Sequence, residues 1–310
     1  MYIEQGYKGD LGLWKYLIIP GCFIGLMIVN YIAILYSPVS VEDTMAQMVK
    51  ALGSNVVLII VLAPLAAGLF MVLGWTKLVH SQSITSLTTS RKRIDWKRVF
   101  FAFGIWGLVT VVLTFVSIYF SPEDFKFNFK LIPFLSLAVI GLLLIPLQTS
   151  FEEYLFRGYM MQGLGIFAKN KWFPLLVTSV LFGLMHLGNP EVEKLGYGIM
   201  VYYIGTGFFL GIITLMDEGL ELALGFHAAN NLFGALLVTA DWQAFSVESL
   251  YRDVSRPVLG WDVLVPIFVV FPILLIVFSK KYGWTNWKDK LTGKVLSKEE
   301  FLATQKEKIV

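Results

Sequence analysis

The residues of this chain that could do chemistry are few, and they lie in apolar surroundings. TSFEEYLFRGY at 149–159 holds Glu152, Glu153 and Arg157, LFGLMHLGNP at 181–190 holds His186, and GFHAANNLF at 225–233 holds His227, Asn230 and Asn231. An ionisable side chain in mid-bilayer costs about 2.5–3.5 kcal/mol on insertion scales, so it faces the bundle interior and marks function.

Their spacing suggests roles. Glu153 and Arg157 are four residues apart with the acid first, so they pair on one helix face. Glu152 is rotated about 100° from Glu153 and lacks that partner; a buried carboxylate without a counter-ion suits general-base work. His186 follows Phe182 by four residues and shares its face. His227 and Asn231 also share a face, about 9 and 15 Å along a helix that starts near 221. In this arrangement Glu152 takes a proton from water that His186 helps to hold. His227 and Asn231 donate hydrogen bonds to the oxyanion at the scissile carbonyl. Glu153 and Arg157 fix the Glu152 helix and balance charge, and Asn230 has no assigned chemistry. A metal is the competing assignment: Glu152, His186 and His227 are ligands by type, and a zinc-bound hydroxide would do the same job. The spacing does not choose between the two. HExxH, GxSxG and GxGD are all absent, which removes the common zinc, serine and aspartyl patterns.

The elements that must position these residues are apolar helices. The chain has 310 residues, 56% hydrophobic and 15% charged, with a mean hydropathy of +0.70; a soluble domain carries about 25% charged residues. The sequence therefore predicts an all-α, polytopic membrane helix bundle with about eight transmembrane helices, near 15–36, 55–79, 99–120, 131–150 (continuing toward 167), 172–187, 195–216, 221–239 and 261–279. The first is read as a retained span rather than a signal peptide. Residues 1–280 form the integral membrane domain and 281–310 a charged, soluble and mobile cytoplasmic tail.

With eight spans and both termini cytoplasmic, the inner segments 1–15, 77–98, 157–171, 217–220 and 280–310 hold 19 of the 25 Lys and Arg. The outer ones hold Lys50, Lys126, Lys130, Lys194, Arg252 and Arg256. This asymmetry follows the positive-inside rule. SRKRIDWKR at 90–98 is read as a topology signal and 241–260 as an external loop with an interfacial helix. His80 is read as interfacial and Cys22 as a small buried residue; one cysteine forms no intrachain disulfide and no zinc motif. A net charge of +3 suggests no nucleic-acid partner.

The ordered set EExxxR (Glu152, Glu153, Arg157), FxxxH (Phe182, His186) and HxxxN (His227, Asn231), on successive apolar segments, resembles the CPBP family. These are the CAAX-processing and bacteriocin-processing intramembrane endopeptidases, also called the Abi or type II CAAX prenyl protease family. The resemblance covers roughly 131–240. It implies an eight-helix bundle with the site in a membrane cavity, water activated by Glu152 and His186, and an oxyanion hole of His227 and Asn231. It implies a peptide or lipidated-protein substrate within the bilayer. The family has been described both as metalloproteases and as glutamate proteases; the reading favours direct activation by Glu152 without a cofactor, with zinc as the alternative. The chain looks like a bacterial member, placed in the inner membrane.

Two other classes remain open: a proton-coupled transporter relaying protons through Glu152, His186 and His227, and a non-catalytic immunity or scaffold protein. The first predicts internal symmetry, which the sequence lacks. The second predicts that Glu152→Ala keeps the biological activity. The catalytic reading carries a geometric demand. His186 lies about 20 Å into a span that starts near Trp172, so Glu152 must sit well within the bilayer to meet it.

Overall fold

A computed structural model describes residues 1–307. After a 3-10 turn at Ile3–Lys8 come α1 (Leu13–Leu35), α2 (Val41–Leu52), α3 (Ser54–Leu78), α4 (Ile84–Thr88) and α5 (Trp96–Phe120). β1 (Phe125–Phe127) leads into α6 (Leu131–Glu153), which continues through a π-helical turn, Tyr154–Met160, into α7 (Met161–Ala168). Next are α8 (Trp172–Leu184), α9 (Pro190–Leu195), α10 (Met200–Asp217) and α11 (Glu221–Leu237). β2 (Val238–Thr239) and β3 (Tyr251–Asp253) precede α12 (Trp261–Val265) and α13 (Phe271–Tyr282), which a second π turn joins; α14 (Trp287–Thr292) and α15 (Lys298–Glu307) follow.

The all-α membrane class is as expected. Each of the eight expected segments is helical, but six stretches are long and apolar enough to cross a bilayer: Leu13–Leu35, Ser54–Leu78, Trp96–Phe120, Leu131–Ala168, Tyr197–Asp217 and Val263–Tyr282. α8 has 13 residues and α11 has 17, short of the roughly 20 that a crossing needs. α11 is largely enclosed by other helices, whereas α8 buries one face and leaves Trp172, Phe173, Leu176 and Leu184 exposed on the other. α11 packs on α5, α6 and α10, and α8 lies against α7 and α10. Lipid is as apolar as leucine, so close packing rather than hydrophobicity holds such helices together. Gly225 shows how: a Cβ there would strike the Val99 carbonyl of α5.

The segments expected on the inner side meet at one end. Tyr2 donates to the Leu87 carbonyl, Gln82 to Gln162, and Arg91 to both Asp217 and Glu221. The outer segments meet at the other end. There β3 pairs antiparallel with β1 and parallel with β2, and Asn128 donates to Glu248.

Four local expectations change. Residues 241–260 contain strand β3 and no helix, because the backbone of Tyr251–Asp253 finds partners on both sides. The tail is not a free extension over its described part: Trp284, Val295 and Phe301 are buried, and Lys290 donates to the Met216 carbonyl; residues 308–310 lie outside the described residues. His80 is fully buried between Tyr16 and Tyr159 rather than interfacial. Cys22 is exposed, on a helix that buries little of its surface.

Candidate active site

The long α6–α7 helix supplies the acids. Pro146 lies inside α6, yet the irregularity comes later, as the π turn that begins right after Glu153. Such single turns mark functional sites because they shift the register of the face beyond them. Glu153 precedes this turn and Arg157 lies within it; they pair at 2.9 Å, both fully buried. Arg157 also donates to the Gly207 carbonyl at 3.1 Å and stacks 4.1 Å over the Phe182 ring. Gly207 can sit there because it has no Cβ, which would collide with the Ser179 backbone of α8. Glu153 Oε2 and Arg157 Nε are buried without partners.

His227 enters from α11, and its Nδ1 lies 2.7 Å from Glu153 Oε1. The carboxylate accepts, so Nδ1 carries the proton. Nε2 faces Glu152 Oε2 at 3.7 Å, beyond hydrogen-bond length. The other oxygen, Oε1, accepts from Gln148. Gln148 Oε1 in turn accepts from Asn231 Nδ2 at 3.2 Å. The Glu152 side chain keeps 13% of its surface accessible and that of His227 keeps 6%, whereas those of Glu153 and Arg157 keep none.

Phe182 brings the histidines to one level. Its ring lies 5.7 Å from that of His227 and 5.1 Å from that of His186. His186 donates from Nδ1 to the Phe182 carbonyl at 2.8 Å, which leaves Nε2 with a lone pair and no protein partner among the described residues. Tyr203 of α10 stacks on the His186 ring at 4.3 Å. Glu152, Glu153, Arg157, Phe182, His227 and Asn231 thus form one contact network. His186 joins it through Phe182 rather than through a hydrogen bond to Glu152. His227 lies six residues beyond Glu221, about 9 Å along α11, and the acids sit beside it.

Among the described residues, no three His, Cys, Asp or Glu side chains are spaced to hold a metal ion. Glu152, His186 and His227 do not form such a set, and each histidine has Nδ1 engaged by a protein oxygen. The sequence reading did not single out Gln148, Tyr203 or Gly207. Gln148 was within reach of it, four residues before Glu152 on the same face. Tyr203 and Gly207 carry no local signal, since only the packing of α10 on α8 brings them in.

Several comparisons bear on this geometry. The protein YyaK of Bacillus subtilis strain 168, itself uncharacterized, is 27% identical over 285 residues, covering 88% of this chain and 95% of YyaK. No solved structure matches the chain. The model of the type II CAAX prenyl endopeptidase Rce1-like family matches residues 132–233, a family of CAAX-type intramembrane proteases. Every residue of the site, from Gln148 to Asn231, falls in that match, so the site-bearing segment of this integral membrane protein is similar to the Rce1-like, type II CAAX prenyl endopeptidase family.

Proposed function

We propose that this chain is an intramembrane endopeptidase in which Glu152 activates water directly. The observation that carries the reading is the unequal treatment of two adjacent acids. Glu153 is sealed between Arg157 and His227, while Glu152 keeps accessible surface and an oxygen without a hydrogen bond. A sealed acid supports, and an open one reacts.

The steps follow from the atoms available. Glu152 takes a proton from water as the oxygen attacks the scissile carbonyl carbon. The lone pair on His186 Nε2 accepts the water's other hydrogen. The carbonyl oxygen becomes an oxyanion that accepts from Asn231 Nδ2 and His227 Nε2. Because His227 Nδ1–H is held by Glu153, a second donor at Nε2 requires the imidazolium. With that proton, two carboxylates, one guanidinium and one imidazolium sum to zero. Glu152 then passes its proton to the leaving amine, and the C–N bond breaks to give an acid and an amine. Zinc enters no step of this reading.

The substrate is a peptide bond of a membrane-associated protein, with CaaX-type lipidated peptides the first class to try. The positive-inside rule puts the basic end, with both termini, in the cytoplasm of a bacterial inner membrane. The test is cleavage of a membrane-peptide pool that includes a farnesylated CaaX peptide, by purified protein in detergent. Glu152→Gln and His227→Ala should lose cleavage, and a strong chelator should not affect the wild type. Cleavage by Glu152→Gln at the wild-type rate would refute the reading; loss on chelation, restored by zinc, would replace direct activation with a metal.

A further inference from the structure

Asn230 and Trp106 lie behind the site, and the steps above give them no role. Trp106 of α5 donates from Nε1 to Asn230 Oδ1 at 3.1 Å. Asn230 Nδ2 donates to Asn231 Oδ1 at 3.1 Å. Asn231 Nδ2 donates to Gln148 Oε1 at 3.2 Å, and Gln148 Nε2 donates to Glu152 Oε1. These contacts form one path through three helices, from α5 across α11 to α6.

The path has a direction. An amide can be turned over, exchanging its oxygen and nitrogen, and nothing about a single amide fixes which way it faces. Here both ends fix it. An indole N–H only donates and a carboxylate only accepts. Given Trp106 at one end, Asn230 must present its oxygen to Trp106 and its NH₂ to Asn231. Asn231 must then present its oxygen to Asn230 and its NH₂ to Gln148, and Gln148 its NH₂ to Glu152. Turning over any one member sets oxygen against oxygen and NH₂ against NH₂. Trp106 is itself held by Phe226, at 4.4 Å between ring centres, and Phe271, at 5.6 Å. Tyr202 adds a weaker contact to the same Asn230 oxygen, at 3.5 Å.

We propose that Trp106, Asn230 and Gln148 are positioning residues, a one-way chain of side-chain donors that keeps the Asn231 NH₂ on the Glu152 side, where the oxyanion forms. One Asn231 hydrogen is taken by Gln148, and the second is left for the substrate. This inference rests on the active-site reading above, because it concerns the aim of the same donor. It adds that the aim is set from two hydrogen bonds away, by a residue that the steps above bring to neither water nor peptide.

Steady-state kinetics on a double-mutant cycle tests it. Gln148→Met keeps the length of the side chain and removes both polar atoms. It should lower kcat on the order of 10- to 100-fold, below the roughly 10²–10³-fold of deleting an oxyanion donor, with KM within about twofold. Trp106→Phe keeps an aromatic ring in its place and removes the donor; it should lower kcat several-fold. Trp106 and Gln148 do not touch each other, so separate structural effects would multiply. A chain held at both ends predicts otherwise: once Gln148→Met has freed one end, only Trp106, through Asn230, still aims Asn231, so Trp106→Phe should lower kcat by a larger factor in that background than alone. Should Gln148→Met fail to fold, Gln148→Leu takes its place, since it also removes both the acceptor for Asn231 and the donor to Glu152. An unchanged kcat in the Gln148 variant, or a multiplicative double variant, overturns the proposal. Undiminished cleavage by Glu152→Gln would remove the active-site reading itself, so the two failures are told apart.

Discussion

Two clusters of buried acids and arginines can be compared. At the basic end, Asp217 and Glu221 are met by Arg91 and Arg98 from the 90–98 segment. Asp217 Oδ1 also accepts from Trp284, and Glu221 Oε1 from the Asp95 backbone. All four oxygens of these two acids are engaged, and both arginines stay partly exposed. In the site, Glu153 Oε2 and Arg157 Nε have no partner, and Glu152 Oε2 has no hydrogen bond. The first cluster joins four segments and is satisfied. The second sits on one helix and is left short. Buried polar atoms are nearly always paired, and unpaired ones call for an explanation; of the two acids and the arginine here, Glu152 alone keeps accessible surface. The comparison also assigns the SRKRIDWKR stretch: beyond its charge, two of its arginines clamp Asp217.

Four measurements would break or sharpen the contrast. The largest effect should come from Glu152→Gln: a cleavage loss on the order of 10³-fold, with the melting temperature in detergent unchanged or raised. Cleavage that survived would put Glu152 among structural acids. Next, Arg157→Leu should cost about 3–5 kcal/mol, because it leaves Glu153 buried without its cation. It should also lose activity per folded molecule. Asp217→Asn should destabilise by about 2 kcal/mol, the range for a charged hydrogen-bond partner, while activity per folded molecule stays at the wild-type value. Denaturation followed alongside turnover separates the two; loss of turnover in Asp217→Asn would tie the basic end to the chemistry.

The smallest effect concerns Glu218, beside that cluster. Burial would raise its carboxyl, but the Met1 ammonium and Lys290 outweigh this and hold it below the usual glutamate range. A depressed carboxylate stabilises the fold above its unfolded pKa, and that stability is lost as pH falls through the folded value. Glu218→Gln should therefore cost about 0.5–1 kcal/mol at pH 7. Its melting curve should converge on the wild type as pH drops below about 4.

Much of the site was legible because a helix makes i, i+4 neighbours local. Glu153–Arg157 paired as read, and His227 and Asn231 share a face. The same rule would have flagged Gln148 before Glu152. What could not be read was the atom-level assignment. His227 Nδ1 turns to Glu153, 74 positions away, and Trp106 reaches Asn230 across 124. His80 looked interfacial by its place after a span, yet Tyr16 and Tyr159 enclose it. The tail looked free because it is charged, yet Trp284, Val295 and Phe301 each find an apolar seat that no local pattern announces.

The sequence by itself determined the membrane class, the helices and the acid-first pair, because hydrophobic length and a period of 3.6 residues act between near neighbours. Only the tertiary structure decided that His227 closes over Glu153, and which way each amide points. Those outcomes depend on partners contributed by other helices, and a buried polar group takes its orientation from whichever donor or acceptor the packing sets opposite it.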